Sequence, residues 1–279
     1  MLINKPMGSF FMIKLSTMTS VTPDWTLDQI IDGMQKYGYT GLEPRAGWGH
    51  AAGLEYDTPA TDRDAARAKL EGAGFAVSCV ATGARFAVED PADLDGYIDE
   101  ANKAIDLAAD LGGACVRTFG GPRGKGELRG IINRTADAYK RIVDHAGERG
   151  VTVLMETHDE WCNSAHVRAV VETVNHPNLA ILWDFMHTQR MGERPEESMQ
   201  VVGALTRHLH AHDGRYEDGG KKLVTVGLGE GELDHATPVK LLNAAGFDGF
   251  FSVEVIHKPG SDHDADGVMK QYGEGFRAL

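Results

Sequence analysis

The chain has 279 residues, 42% hydrophobic and 25% charged, with a formal net charge of −13. That composition supplies one large buried core and excludes a disordered or fibrous chain. The acidic balance argues against nucleic acid as a partner, and no apolar run approaches the roughly 18 residues of a membrane-spanning helix.

The opening stretch MLINKPMGSFFMIKL has no long apolar segment and no small-residue cleavage site, so no signal peptide is expected. Residues 1–10 read as a tail or extension, and residues 11–279 as one domain. The first strand is expected at 11–15, followed by a helix at 26–37 that starts at a Thr cap with an early Asp28. GLEP at 41–44 is the second strand, with its helix at 62–73. The third strand spans 76–82 and its helix 92–111. CVRTF at 115–119 is the fourth strand, followed by a helix at 131–148. VTVLME (151–156) and LAILWD (179–184) are the fifth and sixth strands, with helices at 165–174 and 196–205. HLHAHD (208–213) and FFSVEV (250–255) complete the strands, with helices at 239–245 and 268–279.

Gly74, Gly112, Gly150 and Gly246 each close a helix just before the next strand, as C-cap glycines do. Near-continuous apolar strands alternating with helices imply a parallel sheet, and eight such units imply a single (β/α)8 barrel. The rival fold is a doubly wound open sheet, but no G-x-G-x-x-G follows the first strand. The Gly-rich stretch GGPRGKGE (120–127) lacks the Lys-Ser/Thr ending of a phosphate loop. Cys79, Cys115 and Cys162 show no CxxC spacing and read as reduced thiols, which suits a cytoplasmic protein.

Four chemically active residues close four successive strands: Glu156, Asp184, His210 and Glu254. Barrel strands end at one common face, where active sites lie. Two like charges 4 Å apart repel by about 4 kcal/mol at an effective dielectric near 20, so three clustered carboxylates protonate unless a cation sits among them. Any one of these residues alone reads equally as a cap or a surface charge. The contexts METHDE, LWDFMH and LHAHD, which press polar groups against apolar strand residues, favour a metal site. The expected cofactor is one divalent ion, Mn2+ first, with Mg2+, Co2+ or Zn2+ as alternatives. Arg45 and Arg117, near the ends of strands two and four, are candidates to bind a substrate oxygen, or to pair with Glu43 or a metal-ligand carboxylate. His158 either lines the site or orients a ligand.

The chain resembles the sugar phosphate isomerase/epimerase family, with its xylose isomerase-like barrel. The matching pieces are GYTGLEPR (38–45), LMETHDE (154–160), LWDFMH (182–187), HLHAHDGR (208–215), GLGEGELD (227–234) and GFDGFFSVE (246–254). The resemblance implies metal ligation by Glu156, Asp184, His210 and Glu254, and acid/base roles for Glu156 and Glu254 on opposite faces of a sugar. It implies substrate contacts for His187 and Arg215. His212 stands where many members carry Lys, and Cys162 where ketose 3-epimerases carry a second Glu.

The expected activity is isomerisation or epimerisation of a sugar or related polyol-ketone. The metal stabilises an enediolate, one carboxylate removes the proton alpha to the carbonyl, and the other returns it. The alternative is a lyase that dehydrates a keto-inositol or keto-sugar. An endonuclease IV-like repair enzyme would need extra His ligands after strands two and three, where this chain has Glu43 and Thr82. A sugar-binding protein without turnover is the non-enzymatic rival. The expected partners are a small, non-phosphorylated carbohydrate and further copies of the chain, as a homodimer or homotetramer, with neither nucleic acid nor membrane.

Overall fold

The alternation of apolar and amphipathic stretches produces one parallel barrel ringed by helices. The computed structural model describes residues 13–220 and 222–279. The expected tail at 1–10 and the start of the expected first strand lie outside the described residues.

The chain begins with β1 (Lys14–Met18), α1 (Leu27–Tyr37), β2 (Gly41–Glu43) and α2 (Ala60–Gly72). It continues through β3 (Ala76–Val77), β4 (Val80–Arg85), α3 (Pro91–Asp110), β5 (Cys115–Phe119), α4 (Leu128–Tyr139) and α5 (Val143–Glu148). Next come β6 (Thr152–Glu156), α6 (Ser164–Val174), β7 (Leu179–Asp184), α7 (Phe185–Arg190), α8 (Pro195–Val202) and β8 (Thr206–Ala211). An antiparallel hairpin of β9 (Asp213–Glu217) and β10 (Lys222–Val226) precedes α9 (Ala236–Ala244), β11 (Phe250–Val253) and α10 (Ala265–Ala278).

The parallel sheet runs β3-β2-β1-β11-β8-β7-β6-β5-β4. Its two ends are halves of the single expected third strand, broken at Ser78 and Cys79. The break lets Ser78 turn inward, where its Oγ lies 2.7 Å from Ser16 Oγ. A parallel bridge between Arg45 and Ala81 then joins the end of β2 to β4 and closes the ring. The fold is therefore a (β/α)8 barrel, with β3 and β4 together counting as one strand.

Side chains alternate across each strand. Leu42, Val116, Val153, Ile181, Leu209 and Phe251 face outward and join the core under the helices. Each such aliphatic or aromatic side chain contributes about 1.5–3 kcal/mol by leaving water. Inside the barrel, Cys79, Leu154, Ala180 and Leu182 fill a small apolar layer. Inward positions nearer the C-terminal ends carry Glu43, Arg117, Glu156, Asp184 and His210, all fully buried.

Four local features depart from the sequence reading. β1 runs on to Met18, past the expected end at residue 15. The expected helix at 131–148 is two helices, α4 and α5, separated at residues 140–142. α7 follows β7 directly because Asp184 Oδ1 accepts the Met186 and His187 amides at 2.8 and 3.2 Å. The β9–β10 hairpin was not expected. Asp218, Gly219 and Gly220 turn it with positive φ, a conformation natural to Gly and tolerated by Asp.

Candidate metal centre

The strand period aims the site. Asp184 on β7 sits level with His210 on β8, and Glu254 follows β11, its amide donating to the Ala211 carbonyl at 3.0 Å. The ligand atoms of Glu156, Asp184, His210 and Glu254 lie within 4.8 Å of one another. His210 Nδ1 stands 3.0 Å from both Glu156 Oε1 and Glu254 Oε2. The structure thus brings together the four residues expected to share an ion.

Their chemistry fits a dication on two counts. Glu156 Oε2 is buried without a hydrogen bond, and Glu254 Oε2 faces only the His210 Nδ1 that Glu156 Oε1 already engages, a costly arrangement that ligation would relieve. The charges point the same way. Glu43, Glu156, Asp184 and Glu254 are four buried carboxylates, and Arg117 is the buried arginine among them. It approaches Glu156 Oε2 at 3.4 Å and Glu254 Oε1 at 3.7 Å. Three negative charges remain; a dication and one protonated imidazole complete the balance that a buried cluster requires. Three carboxylates and one imidazole, with no thiolate, form a hard donor set suited to Mn2+, Mg2+ or Co2+ and acceptable to Zn2+.

The imidazole available for that balance is His212. Burial opposes its charging, but Asp184 Oδ2, 2.6 Å from Nε2, prevails and raises its pKa to about 9. A protonated His212 presents a cation beside Asp184. His187 behaves oppositely. Burial holds it down to about 3 against the pull of Asp184, whose Oδ2 lies 3.6 Å away. Both of its ring nitrogens are buried and unpartnered, so a neutral imidazole is ready to meet a substrate hydroxyl. Burial raises the pKa of Glu254, but His210 and Arg117 outweigh it and hold the carboxyl well below the usual range, so it stays ionised.

The remaining expected residues separate. His158 packs edge-on against His187, with ring centroids 4.2 Å apart, and belongs to the site. Arg117 resolves its two readings: it pairs with the ligand carboxylates and not with Glu43. Its Nη1 donates to the Thr82 carbonyl at 2.9 Å, and its guanidinium lies 4.0 Å over the Phe119 ring. Arg45 is half-buried at the mouth, its guanidinium 3.7 Å over exposed Trp48. Arg215 lies on the β9 strand, exposed, donating to the Glu230 carbonyl at 2.8 Å; no hydrogen bond or ion pair joins it to the cluster among the described residues. Trp161 and Phe185 are fully buried in the packing around the site.

Two roles were missed in the sequence. Glu43 accepts from His208 Nε2 at 2.8 Å and from His210 Nε2 at 3.1 Å. The signal was the H-x-H-x-H spacing of HLHAH, which sends three imidazoles to the same inward face of one strand. Asp213 is fully buried, and its carboxylate accepts the amides of Gly214, Gly229, Gly231 and Leu233 at 2.7–3.4 Å. It folds the GLGEGELD segment onto the end of β8. A Cβ at Gly231 would collide with that carboxylate, so the segment requires glycine there. Beside it a cavity of about 640 Å³ borders Glu254 and His212, with Glu230, His257, Asp264 and Gln271 in its walls. No Lys or Arg lines it among the described residues.

Comparison with known proteins agrees with the fold. A 3-dehydroshikimate dehydratase of Bacillus anthracis is 27% identical over 126 residues, 43% of this chain and 44% of that protein. The chain matches less than half the length of its curated relatives. The crystal structure of the IolI protein with a bound zinc atom superposes with a TM-score of 0.81 at 18% identity, over 95% of this chain and 97% of that one. An L-ribulose 3-epimerase superposes with a TM-score of 0.77 at 18% identity, over 96% and 95%. These structures share the fold. No helix among the described residues is long and apolar enough to cross a membrane. The profile of the xylose isomerase-like TIM barrels matches residues 31–278, and the chain belongs to that family.

Proposed function

We propose that the protein is a divalent-metal-dependent isomerase or epimerase of an uncharged sugar or polyol-ketone. The observation that carries this reading is the pair Glu156 and Glu254. Both carboxylates converge on the same imidazole nitrogen at 3.0 Å, and Glu156 keeps a second buried oxygen without a hydrogen bond.

Glu156, Asp184, His210 and Glu254 would hold the ion, which when bound supplies a Lewis acid for charge developing on substrate oxygen. One glutamate removes the proton alpha to the carbonyl. The other delivers a proton to the opposite face, which inverts the centre, or to the neighbouring carbon, which isomerises. Arg117 lies beneath both glutamates, 3.4 Å from Glu156 and 3.7 Å from Glu254. His187 and His158 offer imidazole contacts to hydroxyls, and His212 a cationic one. The cavity beside Glu254, free of Lys and Arg among the described residues, supports a substrate without phosphate.

A second reading, dehydration of a keto-sugar or keto-inositol, is favoured by the dehydratase relative. It needs the same first proton abstraction, followed by loss of a β-hydroxyl. Incubating the Mn2+-loaded protein in D2O with a panel of ketoses and keto-inositols separates the two. Isomer interconversion with deuterium uptake supports the first; loss of water with a new enone absorbance supports the second. Glu156→Gln and Glu254→Gln should each abolish interconversion, and full activity in either variant rejects the two-base mechanism.

A further inference from the structure

We propose that Glu43 is a positioning residue for the metal centre: with His208 it dictates which nitrogen of His210 faces the ligand cluster. This rests on the metal reading above and adds a residue outside the ligand set.

Glu43 closes β2 and is fully buried inside the barrel. Both of its oxygens are engaged by imidazoles. Oε1 lies 3.1 Å from His210 Nε2, and Oε2 lies 2.8 Å from His208 Nε2. A carboxylate is an acceptor only, so Glu43 requires an N–H at Nε2 of His210. Without an ion, Glu156 and Glu254 call for a proton on Nδ1 as well; an ion among them would displace that proton, and with the other held at Nε2 the lone pair sits on Nδ1. Nδ1 is the nitrogen that stands 3.0 Å from Glu156 and Glu254. The tautomer needed for ligation is therefore imposed from below, by a residue three barrel strands away from Glu156 across the interior. His208, two positions before His210 on the same inward face, occupies the second oxygen and keeps Glu43 from rotating. Carboxylate partners of this kind orient ligand imidazoles and raise their basicity.

The same atoms allow a rival arrangement. Donor atoms of Glu43, Cys79 and His208 also lie within 4.8 Å of one another, close enough to hold an ion of their own. The existing bonds argue against it, because Glu43 has no oxygen left free of an imidazole.

Glu43→Gln keeps the side chain's size and removes its second acceptor. Its amide can accept from one imidazole, while its NH2 demands a lone pair from the other. The test is Co2+ binding, followed by the cobalt absorption and by competition with a chromophoric chelator, together with 15N NMR of the histidine rings. The wild type should bind one ion per chain, with His210 keeping its Nε2 proton and losing its Nδ1 proton on loading. Glu43→Gln should stay folded by circular dichroism, bind Co2+ about 10–100-fold more weakly and show a mixed His210 tautomer. Glu43→Asp, which restores both acceptors, should recover part of the affinity. Unchanged affinity in Glu43→Gln overturns the proposal. So does a wild-type His210 protonated on Nδ1 in the loaded protein, a result that needs no variant to fold. Two ions per chain, with the second lost in His208→Gln, would make Glu43 a ligand instead. If the wild type binds no Co2+ at all, the metal reading itself fails, a different outcome from a wild type that binds while Glu43→Gln binds equally well.

Discussion

Replacing Arg117 with Met should destabilise the metal-free protein strongly and make it more dependent on metal. Arg117 is fully buried, 3.4 Å from Glu156 and 3.7 Å from Glu254. At an effective dielectric near 20, those separations correspond to attractions of about 5 and 4.5 kcal/mol. The cost of burying the guanidinium offsets much of this, and burial does oppose its charge while Glu156 and Glu254 restore it. What remains on breaking a buried pair is about 3–5 kcal/mol, because the partner charges stay behind uncompensated. Met keeps the aliphatic stem but not the guanidinium, so the change removes the charge, its stacking on Phe119 and one hydrogen bond to the Thr82 carbonyl. For a domain of this size, 4 kcal/mol corresponds to a fall in Tm of roughly 8–16 °C. The measurement is thermal unfolding followed by circular dichroism, in EDTA and in saturating Mn2+. Without Arg117, a dication becomes the main compensating charge, so Mn2+ should raise the variant's Tm by more than it raises the wild type's. A variant that melts within about 2 °C of wild type in EDTA, or gains less from Mn2+, would refute the charge balance proposed for this barrel.

His187→Leu should leave stability within about 1 kcal/mol of wild type, since it removes a buried ring whose two nitrogens have no partner. Turnover should fall by roughly 100-fold or more if that ring meets substrate, and parallel Tm and kcat measurements check both halves. Stability should also decline with acid through His50. Thr19 Oγ1 accepts the Arg45 amide at 2.9 Å and so gives its own proton to His50 Nδ1 at 2.7 Å, keeping the ring neutral. Burial first, and Arg45 next, lower the His50 pKa from 6.5 to about 4. The unfolded ring therefore binds more protons than the folded one between those values, and stability falls as pH drops through that window. The loss should be on the order of 1 kcal/mol at pH 5, and His50→Gln should remove that part of the pH dependence in denaturant titrations.

Much of this architecture was legible in the sequence because its signals are local. A buried parallel strand must be a continuous apolar run, and a helix leading into the next strand ends in glycine, so all eight strand-helix units could be placed. The four candidate ligands were legible for the same reason: each is an acidic or imidazole group at the end of an apolar run, and a barrel delivers such positions to one face. Features that depend on contacts far apart in sequence escaped. The break at Ser78 reflects a bond to Ser16, 62 residues away. The hairpin depends on the register of Asp213–Glu217 with Lys222–Val226, and its alternation is hidden among charged and glycine residues. Arg215 falls in a motif that the resemblance marks for substrate, yet the hairpin turns its guanidinium to the Glu230 carbonyl.

Glu43 shows how the remaining information is stored. Read alone, it is one acid after a three-residue strand. Read against HLHAH, it is the acceptor required by two imidazoles that the strand period sends inward at consecutive inward positions. Four carboxylates gathered around one arginine cannot stand as isolated charges in a buried interior. The sequence therefore specifies more than a set of candidate ligands: it specifies a charge deficit that a dication is suited to close. A protein using these residues for packing alone could have placed apolar side chains at the same inward positions, as it does one layer below with Leu154, Ala180 and Leu182.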